Sequence, residues 1–157
     1  MSEIVLLDTS VLLNVLDVPG FNESREAVIA ELERLIEGAA HLFIPMAAVF
    51  ETGNHIAQLS DGRVRRYCAR QFVSAIQAAI DDRAPWKPMR MPDVALVRSW
   101  LNDFPEAAMR GHGMGDLSIR KEWQVQCEQF SMSRVRVWSL DQDLAGLDRT
   151  PNQYPAR

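Results

Sequence analysis

A chain of 157 residues, 47% of them hydrophobic, is long enough to bury one sizeable core and too short for two comfortable domains. With 24% charged residues and no repeat or low-complexity stretch, the composition argues against wholesale disorder. A formal net charge of −4 argues against a general nucleic-acid binder, unless acids are gathered in one site, neutralised there by a divalent cation and surrounded by Arg-rich surface. No apolar run is long enough to cross a membrane, and the N-terminus lacks a basic segment followed by an apolar one, so a soluble, cytoplasmic protein is expected. Cys68 and Cys127 are isolated, without CxxC or Cys/His zinc spacing, and read as core thiols.

Glu3 to Leu7 (EIVLL) reads as a buried parallel strand that stops at Asp8. Thr9 to Leu16 continues as an apolar helix-like turn, and the loop DVPGFN leads to a helix capped near Asn22. That helix carries Val28, Leu32, Leu35 and Ile36 at helical spacing and ends at Gly38. His41 to Ile44 reads as a second buried strand, and Pro45 opens the helix that holds Glu51. Ser60 is the expected cap of a long amphipathic helix with Val64, Tyr67, Cys68, Gln71, Ala75 and Ala79 on its apolar side and Arg63, Arg66 and Arg70 on the other. The spacing of Pro85, Pro88 and Pro92 permits only an edge strand around Trp86. Val94, Val97, Trp100, Leu101 and Phe104 mark a further helix, and GHGMG at Gly111 to Gly115 gives a flexible approach to a helix beginning near Asp116. Val135 to Leu140 alternates like a strand ending at Asp141. Strands alternating with helices make the class α/β with a mainly parallel sheet.

Ligands of open α/β sheets bind outside the carboxyl ends of the strands. Asp8 and Asp141 are expected there, and Glu51 and Asp116 come from helices opening at the same edge. Crowded carboxylates raise one another's pKa and repel, which a divalent cation resolves. All-oxygen donors without Cys or His spacing select Mg²⁺ or Mn²⁺ over zinc. Such a site can hold a phosphate oxygen, acidify water and stabilise a leaving oxygen, which is the chemistry of phosphodiester hydrolysis. Asp8, Asp116 and Asp141 are the expected metal contacts, and Glu51 the orienter or activator of the attacking water. The hydroxyls of Thr9, Ser10 and Ser139 are candidates for holding carboxylates or substrate, with Arg63, Arg66 and Arg70 as candidate RNA contacts. Asp143 leaves the fourth acid ambiguous by two residues, and Asp141 is favoured as the residue that follows the strand. The glycines before Asp116 form no phosphate loop, since no Lys followed by Ser or Thr completes one. A haloacid-dehalogenase site needs a second Asp where this chain has Ser10, and a receiver site needs paired first-strand acids and a late Lys that are missing.

Four segments carry a resemblance: LDTSVLL at Leu7 to Leu13, VFETGNHI at Val49 to Ile56, GMGDLSI at Gly113 to Ile119 and WSLDQDL at Trp138 to Leu144. In order and approximate spacing they resemble the PIN-domain family, over about residues 3 to 147. The resemblance implies a three-layer α/β/α sandwich with strand order 3-2-1-4-5 and an Mg²⁺- or Mn²⁺-dependent endoribonuclease acting on RNA. It also implies a VapC-like toxin, a homodimer partnered by a small antitoxin protein. The expected division is a nuclease domain at 1–147 followed by a polar tail or edge strand at 148–157. The alternative is a non-catalytic PIN-like module that binds RNA or protein. The chain is longer than the commonest toxins of this type because of the Arg63 to Asp82 helix and the Pro-rich segment.

Overall fold

Ile4, Val5, Leu6 and Leu7 are all buried, which is why Glu3–Leu7 forms β1 at the centre of the sheet rather than a half-solvated strand. The computed structural model describes residues 2–151. β1 pairs in parallel with β2 (His41–Ile44) on one side, and β2 pairs in parallel with the short edge strand β3 (Trp86–Pro88). On its other side β1 pairs in parallel with β4 (Arg134–Trp138), which takes β5 (Asp148–Arg149) antiparallel. The order β3-β2-β1-β4-β5 is the one the family resemblance implies. The tail expected at 148–157 thus begins as an edge strand, and residues 152–157 lie outside the described residues.

Alternation along β1 divides the core into two layers. Val5 and Leu7 pack with residues of α2 (Arg25–Glu37), α3 (Met46–Ala57) and α4 (Gly62–Ile80), and α1 (Thr9–Val15) lies on the same side. Ile4 and Leu6 pack with Ile119 of α6 (Met114–Gln129) and Leu144 of α7 (Gln142–Ala145). α5 (Val94–Met109) closes on α6 through Trp100, Ala107 and Leu117. The three layers expected from the resemblance are therefore present. Cys68 is buried and Cys127 half-buried, both as free thiols. Among the described residues no helix is long and apolar enough to cross a membrane.

Several boundaries differ from the sequence reading. Ser24, not Asn22, precedes α2, while the Asn22 amide donates to Asp17 and braces the loop. Gly38 has an ordinary φ of −77°, and Ala39 takes the left-handed φ of 55°. Asp61, not Ser60, caps α4, accepting from the backbone N–H of Arg63 and Val64. The inward stripe of α4 is the buried Cys68 and Ala79 with the half-buried Val64, Ala69, Phe72 and Ile76, while Tyr67 and Gln71 are exposed. Ile36, Val94 and Leu101 are likewise exposed. β4 stops at Trp138, so Ser139 and Leu140 belong to a turn.

Candidate active site

The corner between β1 and α1 sets Asp8 at the carboxyl edge of the sheet, where its N–H donates to the Trp138 carbonyl of β4 at 3.0 Å. Asp8 occupies the N-cap position of α1, yet its carboxylate makes no cap hydrogen bond. Its Oδ2 instead accepts from Ser139 Oγ at 2.7 Å and Ser10 Oγ at 3.2 Å. Ser10 Oγ accepts from the Leu140 N–H and Ser139 Oγ from the Asp141 N–H, so these hydroxyls tie the turn after β4 to the start of α1. Ser139 and Asp8 are both buried. Asn14, one turn after Ser10, donates to the Ser10 carbonyl and accepts from the Ser24 N–H, which fastens the loop before α2 to the same corner.

Glu51 rises from α3, and its Oε2 accepts from Thr9 Oγ1 at 3.2 Å. Burial raises its pKa first, the Thr9 hydrogen bond opposes that, and the negative charges of Asp116 and Asp8 raise it further. Asp116 lies in the first turn of α6. Burial again raises its pKa most, followed by the charges of Asp8 and Asp141, with His112 opposing and Asp143 adding least. α6 begins at Met114, ahead of the expected start, so Gly115 is helical. A Cβ at Gly115 would clash with Glu51 Oε1. The glycine is needed for the close approach of α6 to Glu51 rather than for the backbone freedom expected of it.

Asp8, Glu51, Asp116 and Asp141 line one open cavity of about 380 Å³, with the tilted ring pair Phe21 and His55 on its far wall, 4.9 Å between centroids. Asp141 is exposed and also caps α7 through the Asp143 N–H, and it does not directly follow the strand as expected. Asp143 is exposed and is not part of the lining. Thr9 and Ser10 line the cavity, Ser139 supports it through its hydrogen bond to Asp8, and Arg63, Arg66 and Arg70 lie apart from it on the exposed face of α4. Sequence reasoning missed Asn14, Phe21 and His55 as wall residues. A polar Asn closing the apolar run Val11 to Leu13, four residues after Ser10, was the available signal.

None of the four acids forms an ion pair among the described residues. The donors are oxygens throughout, which fits a hard divalent cation that retains waters and takes one or two carboxylates. Among the described residues, however, no group of three or more His, Cys, Asp or Glu side chains is arranged to enclose a metal ion directly. The donor chemistry fits Mg²⁺ or Mn²⁺ held with retained waters.

No family model matches the chain, and no curated protein matches it significantly. Solved structures do. A chain in the crystal structure of FitAcB from Neisseria gonorrhoeae is similar with a TM-score of 0.57 and 21% identity, covering 91% of each chain. A chain in the structure of FitAB bound to the IR36 DNA fragment is similar with a TM-score of 0.56 and 22% identity, covering 91% of this chain and 89% of that one. At that identity the likeness shows the fold, a PIN-like α/β sandwich, over nearly the whole chain.

Proposed function

We propose that this chain is a metal-dependent endoribonuclease that hydrolyses RNA phosphodiester bonds at the carboxyl edge of its sheet. The observation that carries the reading is the convergence of Asp8, Glu51, Asp116 and Asp141 on one cavity with no cationic partner among the described residues. Asp8 adds weight, because a carboxylate at a helix N-cap that makes no cap bond is held for something else. Asp8 and Asp116 would hold Mg²⁺ or Mn²⁺ most directly, with Asp141 at the rim. When bound, the cation supplies the charge that offsets a phosphate oxygen and makes water more acidic. Glu51, with a raised pKa and a Thr9 hydrogen bond orienting one oxygen, is suited to take the proton of the attacking water. Ser10 and Ser139 hold Asp8 in place.

The VapC-like resemblance, together with fold likeness to a chain of FitAB, supports a small antitoxin protein as partner, and the resemblance alone supports a homodimer. Incubation of purified protein with single-stranded and structured RNA tests the proposal. Cleavage in Mn²⁺ or Mg²⁺ and its loss in chelator are expected, and undiminished cleavage in chelator overturns metal dependence. That no three-donor cage occurs among the described residues favours a second reading, a non-catalytic module that binds RNA or protein. It predicts binding with no cleavage under any divalent cation.

A further inference from the structure

Arg63, Arg65, Arg66 and Arg70 are exposed together on α4 with the exposed ring of Tyr67. Arg63, Arg66, Tyr67 and Arg70 follow the i, i+3, i+4, i+7 spacing of one helical stripe, opposite the buried Cys68 and the half-buried Val64 and Phe72. None of the four arginines forms an ion pair among the described residues. Arg65 donates to the Leu59 carbonyl, and the neighbouring acid Asp61 has its carboxylate engaged in capping the helix.

This arrangement costs the fold stability. Like charges three and four residues apart repel, and cations in the first turns of a helix oppose its dipole. Elsewhere Arg34, Arg134 and Arg136 stand against acids, and Arg110 and Arg120, which form no ion pair among the described residues, share their pocket with Asp103 and Glu106. An excess of positive charge kept unpaired, in a chain of net charge −4, therefore marks a surface complementary to a polyanion. Ile56 of α3 shares a cluster with Val64 and Cys68 of α4, and His55 beside it lines the acidic cavity.

We infer that the Arg63–Arg70 face of α4 binds the phosphodiester backbone of single-stranded RNA outside the cleavage site, with Tyr67 stacking on a base. The choice of RNA rests on the nuclease reading above. Guanidinium groups on phosphates position a strand without reading its sequence, and an exposed aromatic ring among them accepts any base. The acidic cavity repels RNA when no cation is present, so in chelator the arginine face accounts for most of the remaining attraction.

The test is fluorescence anisotropy of a labelled single-stranded RNA, titrated in chelator over a range of salt concentrations. Replacing all four arginines with Gln should weaken binding tenfold or more at low salt and reduce the slope of log affinity against log salt by about 3. Replacement with Lys should keep most of that slope, which a merely structural role would not distinguish. Tyr67→Ala should weaken binding by about fivefold or more and leave the salt slope unchanged. A Gln variant with the wild-type affinity and slope overturns the inference, as does a wild type that binds no RNA in chelator at low salt. Absence of Mn²⁺-dependent cleavage would overturn the nuclease reading alone, because this measurement requires no turnover.

Discussion

The two ends of the sheet treat carboxylates in opposite ways. At the amino end, Glu3, Glu31 and Asp148 are held by Arg34, Arg134 and Arg136, with contacts such as Arg136 to Glu3 at 2.6 Å and to Glu31 at 2.7 Å. The hydrogen bond from Arg34 lowers the pKa of Glu31, and that from Arg134 lowers the pKa of Asp148. At the carboxyl end, Glu51 and Asp116 have raised pKa values because burial and neighbouring carboxylates penalise their charge. The same side chains serve as struts where arginines meet them and as a reservoir of repulsion where none do. On the proposed function, that contrast separates acids that hold the fold together from acids kept for a ligand.

The largest effects should fall on turnover at the carboxyl end. Asp8→Asn, Asp116→Asn and Asp141→Asn should each lower RNA cleavage by about a hundredfold or more, and pairs of them should not add, since they serve one site. A damaging Asp143→Asn beside a mild Asp141→Asn would move the fourth acid by two residues. Gly115→Ala comes next. Its methyl group must push Glu51 away from its place, so turnover should fall by about tenfold, while the melting temperature stays level or rises because Ala favours helix. Falling activity together with a clear loss of stability would mean that the whole α6 start had shifted.

How much of this was legible in the sequence depends on what each feature rests on. β1 and β2 were read to the residue, because a continuous apolar run bounded by an acid or a proline has few other solutions. The edge position of β3 followed from its prolines. Caps were read one or two residues off, at Asn22 for Ser24 and Ser60 for Asp61, because neighbouring cap-competent residues are separated only by local backbone geometry. The face of α4 was misread at Tyr67 and Gln71, since what an amphipathic helix buries is settled by Phe72 and Cys68 meeting α1 and α3. That the four acids would meet at one edge of the sheet could be expected from order and spacing, and they line one cavity. The bond of Ser139 to Asp8 and the fit of Gly115 against Glu51 join residues far apart in the chain and required the fold.

At the amino end the expected effect is on stability alone. Arg136 is only 12% exposed, and Arg136→Met would leave Glu3 and Glu31 short of a partner, at a cost of about 1–3 kcal/mol at neutral pH. An acid whose folded pKa lies below its unfolded one adds stability above the unfolded value and loses it as pH falls through the folded value. Glu31 is such a group, with an ordinary pKa of 4.5. The gap between wild type and Arg136→Met should therefore be full at pH 7 and close as pH falls below about 4. Urea titrations at both pH values would show it, and a gap independent of pH would mean that Arg136 acts through packing.

On the proposed function, the acids of the cavity are kept at the expense of the fold for a cation the folded state binds. Thermal melts of wild type and of Asp116→Asn, each in chelator and in excess Mg²⁺ at neutral pH, test it most directly. Removing one repelling charge while keeping its shape should make Asp116→Asn melt higher than wild type in chelator, by an amount worth about 1 kcal/mol. Mg²⁺ should then raise the wild type by more than the variant, which lacks a ligand, and reverse their order. If Asp116→Asn melts below wild type in chelator and Mg²⁺ moves neither, Asp116 is a stabilising helix acid and the account of the cavity as a metal site is contradicted.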